Sequence, residues 1–420
     1  MREVYLICIV FFMDLLNRSF KPFRFIIDFI RLESSSGIIL FLTAVLALIL
    51  DNSPFHAVYQ KWVYESLTWQ IGQWHLQFST VFVVNDILMT FFFLLVGLEI
   101  KREVCIGELN SVRKIGLPGI AALGGMLFPA LVYLTFNHGD SVAMRGLAIP
   151  TATDIAFALG IIMLLGKRVP IALKLYLMAL AIFDDLGAIL IIAFFYQTNF
   201  SWYAFCGMLV CLSVLIALNR LGVKALMIYG FFGIILWILL LKSGIHPTLA
   251  GVLLALAIPL KGKMQKNKSL TRAKLLEDSP LNHLETVLHP WVAYVILPIF
   301  SLTNAGVSFA GLKWENLFNP LSLGILLGLF LGKQFGVFAT TWIAIRFGIL
   351  PMPRGASWSS LYAIAMICGV GFTMSLFMGN LAFAGMDVDY IILVKFGVLA
   401  GSFLSGVLGY LLLQRVLVRD

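Results

Sequence analysis

Long blocks of apolar residues run through most of the chain and are separated by short polar gaps. The blocks do not alternate with a period of two, so they are not typical of half-buried strands. Blocks of ~17–25 residues match the hydrocarbon thickness of a bilayer when they form helices. The pattern predicts an all-α polytopic membrane protein with twelve transmembrane helices. The predicted spans, of which the eighth is short, are 36–50, 83–100, 115–136, 146–165, 169–196, 201–219, 223–241, 244–260, 287–309, 321–345, 358–383 and 389–413.

The composition favours the same class. Of the 420 residues, 60% are hydrophobic and 12% are charged, whereas a soluble protein of this size needs more polar surface to cover its core. The cysteines lack the spacing of a metal or redox site, so we expect them to be small apolar fillers, and we expect no cofactor. They are Cys8, Cys105, Cys206, Cys211 and Cys368.

The basic residues are concentrated in alternate gaps. A net charge of +9 would suit a nucleic-acid partner, but this distribution indicates membrane topology and no nucleic acid. The gap around Thr198–Ser201 has neither lysine nor arginine. By the positive-inside rule both termini are cytoplasmic, which agrees with an even number of spans. The most basic gap follows the eighth span and contains Lys261, Lys263, Lys266, Lys268, Arg272 and Lys274.

Two segments outside the spans carry their own predictions. Residues 1–33 precede the helical domain of residues 34–420, and the apolar stretch Tyr5–Phe12 is too short to span a membrane. We expect residues 1–33 to be cytoplasmic or interfacial, with Met13 as an alternative start. Residues 66–80 alternate around Gly72, which is typical of a small external β-hairpin. That segment either pairs with a second subunit or lies as a loop on the headgroups.

Four charged residues lie near the centres of predicted spans. They are Asp154 in the fourth span, Asp184 and Asp185 in the fifth, and Lys333 in the tenth. Each costs about 2.5–3.5 kcal/mol at that depth, so together they cost roughly 10–14 kcal/mol. One aspartate–lysine pair alone can be structural, but a cost of this size for all four indicates function.

Asp184 and Asp185 are adjacent, so their side chains point about 100° apart on a helix. One of them can face Lys333 while the other faces a cation pathway. Two carboxylates at low dielectric cannot both stay ionised cheaply, so at least one holds a proton when no cation is present. Competition between Na⁺ and H⁺ for the same oxygens is sufficient for exchange.

Two predicted spans carry signals of a broken helix. In the fourth span, Pro150 removes a backbone donor, and the following Thr-Ala-Thr-Asp suits a fresh helix start near Thr151–Thr153. In the eleventh, Gly369 and Gly371 weaken the helix at its centre, although close helix packing also explains a glycine pair. A broken backbone at membrane depth lines a cavity or is covered by protein.

These two spans are the middle elements of two triplets, at about 115–196 and 321–413. The triplets run in opposite directions, which predicts inverted-topology repeats with two crossed, broken helices at a transport site. Asp154 would offset the positive helix ends at such a crossing, and Lys333 would offset the negative ends.

Several motifs in order make the chain similar to the NhaA family of bacterial Na⁺/H⁺ antiporters, from about Ser34 to the last span. The matching stretches are Asn85-Asp86-Ile87-Leu88-Met89, Phe92-Phe93-Leu94-Leu95-Val96-Gly97-Leu98-Glu99, Ala152-Thr153-Asp154-Ile155-Ala156-Phe157, Ala181-Ile182-Phe183-Asp184-Asp185-Leu186-Gly187-Ala188, Gly244-Ile245-His246-Pro247-Thr248-Leu249-Ala250-Gly251, Leu288-His289-Pro290-Trp291 and Gly332-Lys333-Gln334.

This resemblance implies a role for each central residue. Asp185 matches the main Na⁺ ligand, Asp184 its proton-carrying partner, and Lys333 the lysine that pairs with that partner. Asp154 and Thr153 match residues of the broken helix beside the site. Either Asp184 or Lys333 can be the second proton carrier.

The resemblance also implies electrogenic Na⁺ extrusion driven by the inward proton gradient, activation at alkaline pH, and dimerisation through the external hairpin. The expected partners are Na⁺, Li⁺, H⁺ and the bilayer of a bacterial inner membrane. Positions matching pH-response residues are Glu99, Arg102, Glu103, Glu285, His289 and His246. Ordinary solvated contacts at helix ends explain the first five equally well, and a capping or packing role suits His246. Thr286 stands where other members carry a second histidine, Pro247 follows His246, and the N-terminus is longer than usual.

Two functions other than antiport would place different demands on these residues. A cation channel needs no proton-titrating site, and an intramembrane aspartyl protease needs two aspartates, such as Asp154 and Asp184, that face one water. The chain has no Gly-x-Gly-Asp motif, and Lys333 has no role in that chemistry.

Overall fold

The computed structural model describes residues 34–71, 74–105, 112–196, 200–260, 279–309 and 318–419. The predicted N-terminal segment and the lysine-rich gap after residue 260 lie outside the described residues. The helices are α1 Ser35–Asp51, α2 His56–Tyr64, α3 Thr80–Cys105, α4 Val112–Asn137, α5 Ile155–Leu164, α6 Ile171–Phe195, α7 Trp202–Arg220, α8 Leu226–Ser243, α9 Leu249–Ala257, α10 Pro280–Asn304, α11 Pro320–Arg346, α12 Trp358–Ile367, α13 Phe372–Ala382 and α14 Val388–Arg419.

The helical architecture is that of a polytopic membrane protein. Within the described residues, 9 helical stretches are long and apolar enough to cross a membrane, and the number rises to 11 if each of two bent pairs is one span. The bent pairs are α1 with α2, at 115°, and α12 with α13, at 41°. The predicted eighth span contains only the 9-residue α9. At 1.5 Å per residue α9 covers about half of a bilayer core, so a count of twelve stays a prediction.

A two-stranded antiparallel ribbon connects α2 to α3. Its strands are β1 Ser66–Ile71 and β2 Trp74–Ser79, and the register pairs Ser66 with Ser79 and Ile71 with Trp74. Gly72, at the centre of the predicted alternation, lies outside the described residues. The side of the membrane on which the ribbon lies and its pairing with a second copy stay predictions.

The fourth predicted span is interrupted. A 3₁₀ helix covers Ala143–Thr151, the backbone is extended at Ala152, and α5 begins only at Ile155. The prediction of a helix start near Thr151–Thr153 was therefore wrong by a few residues. The reason is that Asp154 is the N-cap, because its carboxylate accepts a hydrogen bond from the backbone N–H of Phe157 at 2.9 Å.

The eleventh predicted span is interrupted as well. α12 ends at Ile367, and α13 begins at Phe372 after four residues that are not helical. The Ser402 hydroxyl accepts hydrogen bonds from the N–H groups of Gly371 and Phe372, at 3.2 and 3.1 Å. These bonds to α14 satisfy N–H groups at the start of α13 that have no intrahelical partner.

Glycines let α4 and α11 approach closely. A Cβ on Gly124 would lie 2.4 Å from the carbonyl oxygen of Gly336, and one on Gly332 would lie 2.6 Å from the Cα of Pro129. Small residues at such a crossing bring helix backbones into contact. The crossing holds the segment of α11 that carries Lys333 against α4.

Candidate ion-binding site

The two interruptions contact each other through polar groups. The backbone N–H of Asp154 donates to the carbonyl of Val370 at 2.7 Å, and the Thr153 hydroxyl donates to the carbonyl of Cys368 at 2.8 Å. The Ser375 hydroxyl donates to the carbonyl of Ile149, also at 2.7 Å. Backbone groups freed by each break therefore find partners on the other broken span, as a buried irregular backbone requires.

The Asp154 carboxylate caps two helices at once. One oxygen accepts from the N–H of Phe157 in α5, and the other accepts from the N–H and the hydroxyl of Thr373 in α13, at 3.0 and 2.5 Å. Helix N-termini carry partial positive charge, so one buried carboxylate offsets two of them. Sequence reasoning missed Thr373, although its position two residues after Gly371 in a predicted break was an available signal.

Lys333 lies at the centre of a buried polar cluster. Its ammonium donates to an oxygen of Asp184 at 2.6 Å and to the carbonyl of Thr151, at the end of the 3₁₀ helix, at 2.5 Å. The Thr153 hydroxyl oxygen lies 2.7 Å from the same Asp184 oxygen. A π-helical turn, Gly328–Gly332, directly precedes Lys333 in α11, and such turns are frequent at functional sites. The cation thus lies against both a carboxylate and a negative helix end.

Asp185 has very different surroundings. It is fully buried, and neither of its carboxylate oxygens has a hydrogen-bond partner among the described residues. The second oxygen of Asp184 is likewise buried without a partner. Among the described residues, the carboxyl groups of Asp184, Asp154 and Glu99 and the ammonium of Lys333 lie within electrostatic reach of Asp185. Buried polar atoms without partners cost free energy, and carboxylate oxygens are suitable ligands for a hard cation such as Na⁺.

The site is closed in this conformation. Asp154, Asp184, Asp185, Thr153 and Lys333 are each at most 1% exposed. An ion can therefore reach these carboxylates only after the surrounding helices move.

The comparisons with known proteins agree on one family. A sequence model described as Na⁺/H⁺ antiporter 1 matches residues 27–413. This chain belongs to that family. A relative from Rhodospirillum rubrum, named Na⁺/H⁺ antiporter NhaA, is 54% identical over 396 residues, which are 94% of this chain and 98% of the relative. A relative with the same name from Pseudomonas putida is 50% identical and covers 91% of this chain and 95% of its own length. Another, from a Sulfurovum species, is 48% identical and covers 93% of this chain and 97% of its own length.

Most of the pH-response candidates of this antiporter family member cluster where α3 and α10 meet. Arg102 lies 3.1 Å from a carboxylate oxygen of Glu103 and 3.1 Å from one of Glu285. Glu99, one turn earlier on α3, lies within electrostatic reach of all three. His289 follows Glu285 by one turn on α10. The arrangement connects the two helices through charge, and one of its members, Glu99, also lies within electrostatic reach of Asp185.

His246 lies apart from that cluster. Its Nδ1 is 2.7 Å from the hydroxyl of Thr248, the N-cap residue of α9, and its ring meets the ring of Phe377 edge to face. Its Nε2 lies 3.5 Å from a carboxylate oxygen of Asp86. The contacts with Thr248 and Phe377 are those of a capping and packing residue, and the proximity to Asp86 was not predicted from the sequence.

A buried amide network was also missed. Asn304 of α10 exchanges hydrogen bonds with Asn85 of α3, at 2.9 and 3.3 Å, and accepts one from Asn380 of α13 at 2.7 Å. The network links the second broken span to two further helices. No periodicity or spacing relates these three residues, because they lie far apart in the sequence.

Proposed function

We propose that this chain is a secondary Na⁺/H⁺ antiporter that extrudes sodium from the cytoplasm by using the inward proton gradient. Membership of the Na⁺/H⁺ antiporter 1 family supports the reaction. The observation that carries the assignment to particular residues is the contrast at the centre of α6. There Asp184 is paired with Lys333, while the adjacent Asp185 is buried without any hydrogen-bond donor among the described residues.

Asp185 is the main Na⁺ ligand in this proposal, and Asp184 joins it when the ion arrives. A buried carboxylate without donors is stable when it holds either a proton or a metal ion, and each excludes the other. The Thr153 hydroxyl oxygen lies 2.7 Å from Asp184 in the closed state, so it lies beside the ion. Asp154 keeps its three hydrogen-bond donors throughout the cycle in this proposal, and so it holds the two breaks together.

The ion pair gives the exchange its charge balance. When Na⁺ attracts Asp184, Lys333 loses its carboxylate partner, so the one exchangeable proton of the pair leaves: from the Lys333 ammonium if the pair is ionised, or from the Asp184 carboxyl group if the proton rests there. Together with the proton of Asp185, two protons move for each Na⁺, and one net charge crosses the membrane per cycle. At 100 mV that charge contributes about 2.3 kcal/mol to extrusion.

Alternating access follows from rocking of inverted repeats, at about 115–196 and 321–413, around crossed broken spans within a twelve-helix domain. Three features support this part of the proposal. Both middle elements are interrupted, the interruptions contact each other, and the site is closed on all sides in this conformation. Binding energy for Na⁺ or H⁺ would then select between outward-open and inward-open states.

The remaining parts of the proposal concern surroundings and control. The protein lies in a bacterial inner membrane with both termini cytoplasmic, and it forms a homodimer through the β1–β2 ribbon. Within the part of the chain that the structure describes, each strand of this ribbon has one edge without a partner strand, and a second copy can cover such an edge. Li⁺ is a second substrate, and the charged cluster of Glu99, Arg102, Glu103 and Glu285, with His289 beside it, sets an alkaline activation range.

The experiment that tests the ion site measures Na⁺-dependent proton release in everted vesicles with a pH-sensitive dye. Asp185→Asn keeps the shape of the side chain but removes its charge, so we expect exchange of Na⁺ and Li⁺ to disappear. Asp389→Asn makes the same chemical change on an exposed residue of α14 and should leave exchange intact. Wild-type exchange by Asp185→Asn protein, with normal membrane insertion, would refute the assignment.

The alternative functions have less support. For a protease, Asp154 and Asp184 would have to face one water, yet Asp154 is bound by Phe157 and Thr373 and Asp184 by Lys333. A channel would carry currents far above carrier rates under voltage clamp. The relatives described above are named as antiporters, not as channels or proteases.

A further inference from the structure

A second polar contact joins the helices that carry the Asp184–Lys333 pair. The side-chain oxygens of Tyr176 in α6 and Thr341 in α11 lie 2.6 Å apart, and the two residues are 5% and 1% exposed. Tyr176 precedes Asp184 by eight residues, and Thr341 follows Lys333 by eight. Eight residues are about two helical turns, or about 12 Å, so both contacts lie along one seam between antiparallel helices.

The direction of this hydrogen bond follows from the other partner of Thr341. The Thr341 hydroxyl also lies 2.6 Å from the carbonyl of Val337, to which it donates its one proton. Tyr176 is therefore the donor to Thr341. The Tyr176 hydroxyl further lies within electrostatic reach of Asp184 and of the Cys368 thiol.

The position of this contact along the membrane depends on the proposed orientation. Under that orientation α6 begins on the cytoplasmic side, after Lys167 and Arg168, and α11 ends there at Arg346. Tyr176 lies near the first residues of α6, and Thr341 near the last residues of α11. The hydroxyl pair is thus on the cytoplasmic side of Asp184 and Lys333.

We propose that Tyr176 and Thr341 form an inner gate of the transport cycle, which closes the cytoplasmic route to the ion site by holding α6 against α11. This inference rests on the proposed function. Both residues are positioning residues, because neither touches the transported ion. An aromatic ring fills the seam, and a buried hydroxyl pair fixes the ring there, since a buried tyrosine hydroxyl without a partner is unfavourable.

Removal of the Tyr176 or the Thr341 hydroxyl should favour the inward-open state. Tyr176→Phe keeps the ring, and Thr341→Val keeps the shape of the side chain, but each breaks the bond in the closed state only. One net hydrogen bond changes an equilibrium by about three- to tenfold, so the inward-open state gains population by that factor. Because neither variant changes a charge, we expect a nearby thiol to react at a rate that depends on how easily a reagent reaches it.

Cys368 provides a natural reporter of this opening. It is fully buried at the second break, close to Asp184 and Lys333. A chain in which the other four cysteines are replaced by alanine is treated with a membrane-impermeant cationic thiosulfonate. Everted vesicles expose the cytoplasmic face to this reagent, and right-side-out vesicles expose the external face.

We expect Tyr176→Phe and Thr341→Val to raise the labelling rate of Cys368 about three- to tenfold in everted vesicles and not in right-side-out vesicles. Thr341→Ser retains the hydroxyl and should label at the wild-type rate. The matched control is Tyr133→Phe, which removes another buried tyrosine hydroxyl, one that donates to the carbonyl of Ala143 at 2.5 Å. It should not change labelling from the cytoplasmic face.

Unchanged labelling in both gate variants, an equal increase in Tyr133→Phe, or faster labelling from the external face would overturn the inner gate. Failure of the gate leaves the antiporter proposal intact, because that proposal depends on loss of exchange in Asp185→Asn. If one gate variant fails to insert, the other still decides the question.

Discussion

Asp154 and Asp185 are both buried carboxylates at the centre of interrupted or apolar spans, yet their surroundings are opposite. Asp154 accepts three hydrogen bonds from two helices, whereas Asp185 accepts none from the described residues. Satisfied donors make a carboxylate part of the architecture, since removing it leaves the donors unpaired. An unsatisfied carboxylate destabilises the closed protein and is available to an ion. In the proposed function, hydrogen-bond saturation, not burial or charge, thus separates the structural Asp154 from the ion-binding Asp185.

Asp184 is intermediate between Asp154 and Asp185, because one of its oxygens is bound by Lys333 and the other has no hydrogen-bond partner among the described residues. The largest effect is therefore expected when Lys333 is replaced. Lys333→Met should destabilise the protein by about 3–5 kcal/mol, since it leaves a buried carboxylate without its counter-ion. Thermal unfolding in detergent measures the loss. Lys242→Met, at an exposed residue near the end of α8, is the control and should cost at most about 0.5 kcal/mol.

A double variant sharpens that prediction. Lys333→Met combined with Asp184→Asn removes both charges, so most of the stability should return while exchange stays lost. Equal instability of the single and double variants would show that Lys333 contributes through packing and not through its pairing with Asp184.

The direct contrast between the two aspartates is the next largest effect. Asp154→Ala should cost about 3 kcal/mol, because donors at the start of α5 and α13 lose a charged acceptor. Asp185→Ala should leave the unfolding temperature unchanged or raise it, because no donor among the described residues loses a partner. Unfolding curves of both variants and of Asp389→Ala give the comparison. A stability loss at Asp185 equal to that at Asp154 would contradict the distinction drawn between them.

The smallest effect isolates one of the three bonds of Asp154. Thr373→Val removes the hydroxyl donor but keeps the backbone N–H bond, so it should cost about 1 kcal/mol. Thr373→Ser should restore wild-type stability because it restores the hydroxyl. Combined with Asp154→Ala, Thr373→Val should add little further loss, which is the signature of coupled residues in a double-mutant cycle.

Hydropathy determined most of the membrane helices, because a bilayer core accepts only long apolar helices and penalises charge strongly. The positions of the two breaks followed from Pro150 and from the pair Gly369 and Gly371, whose backbone effects are local. The same local reasoning misjudged the start of α5 by a few residues, since the capping preference of Asp154 depends on where its carboxylate points.

The sequence by itself determined that the four buried charges lie at membrane depth and that an aspartate pair stands beside a lysine-bearing helix. The family resemblance implied that Lys333 pairs with Asp184, and the structure has the two groups 2.6 Å apart. Only the tertiary structure decided that Thr373 binds Asp154 and that Tyr176 meets Thr341 on the same pair of helices. The physical reason is that adjacent residues on a helix differ by about 100° in direction. Which one meets Lys333 depends on packing between segments 149 residues apart, and no local pattern contains that information.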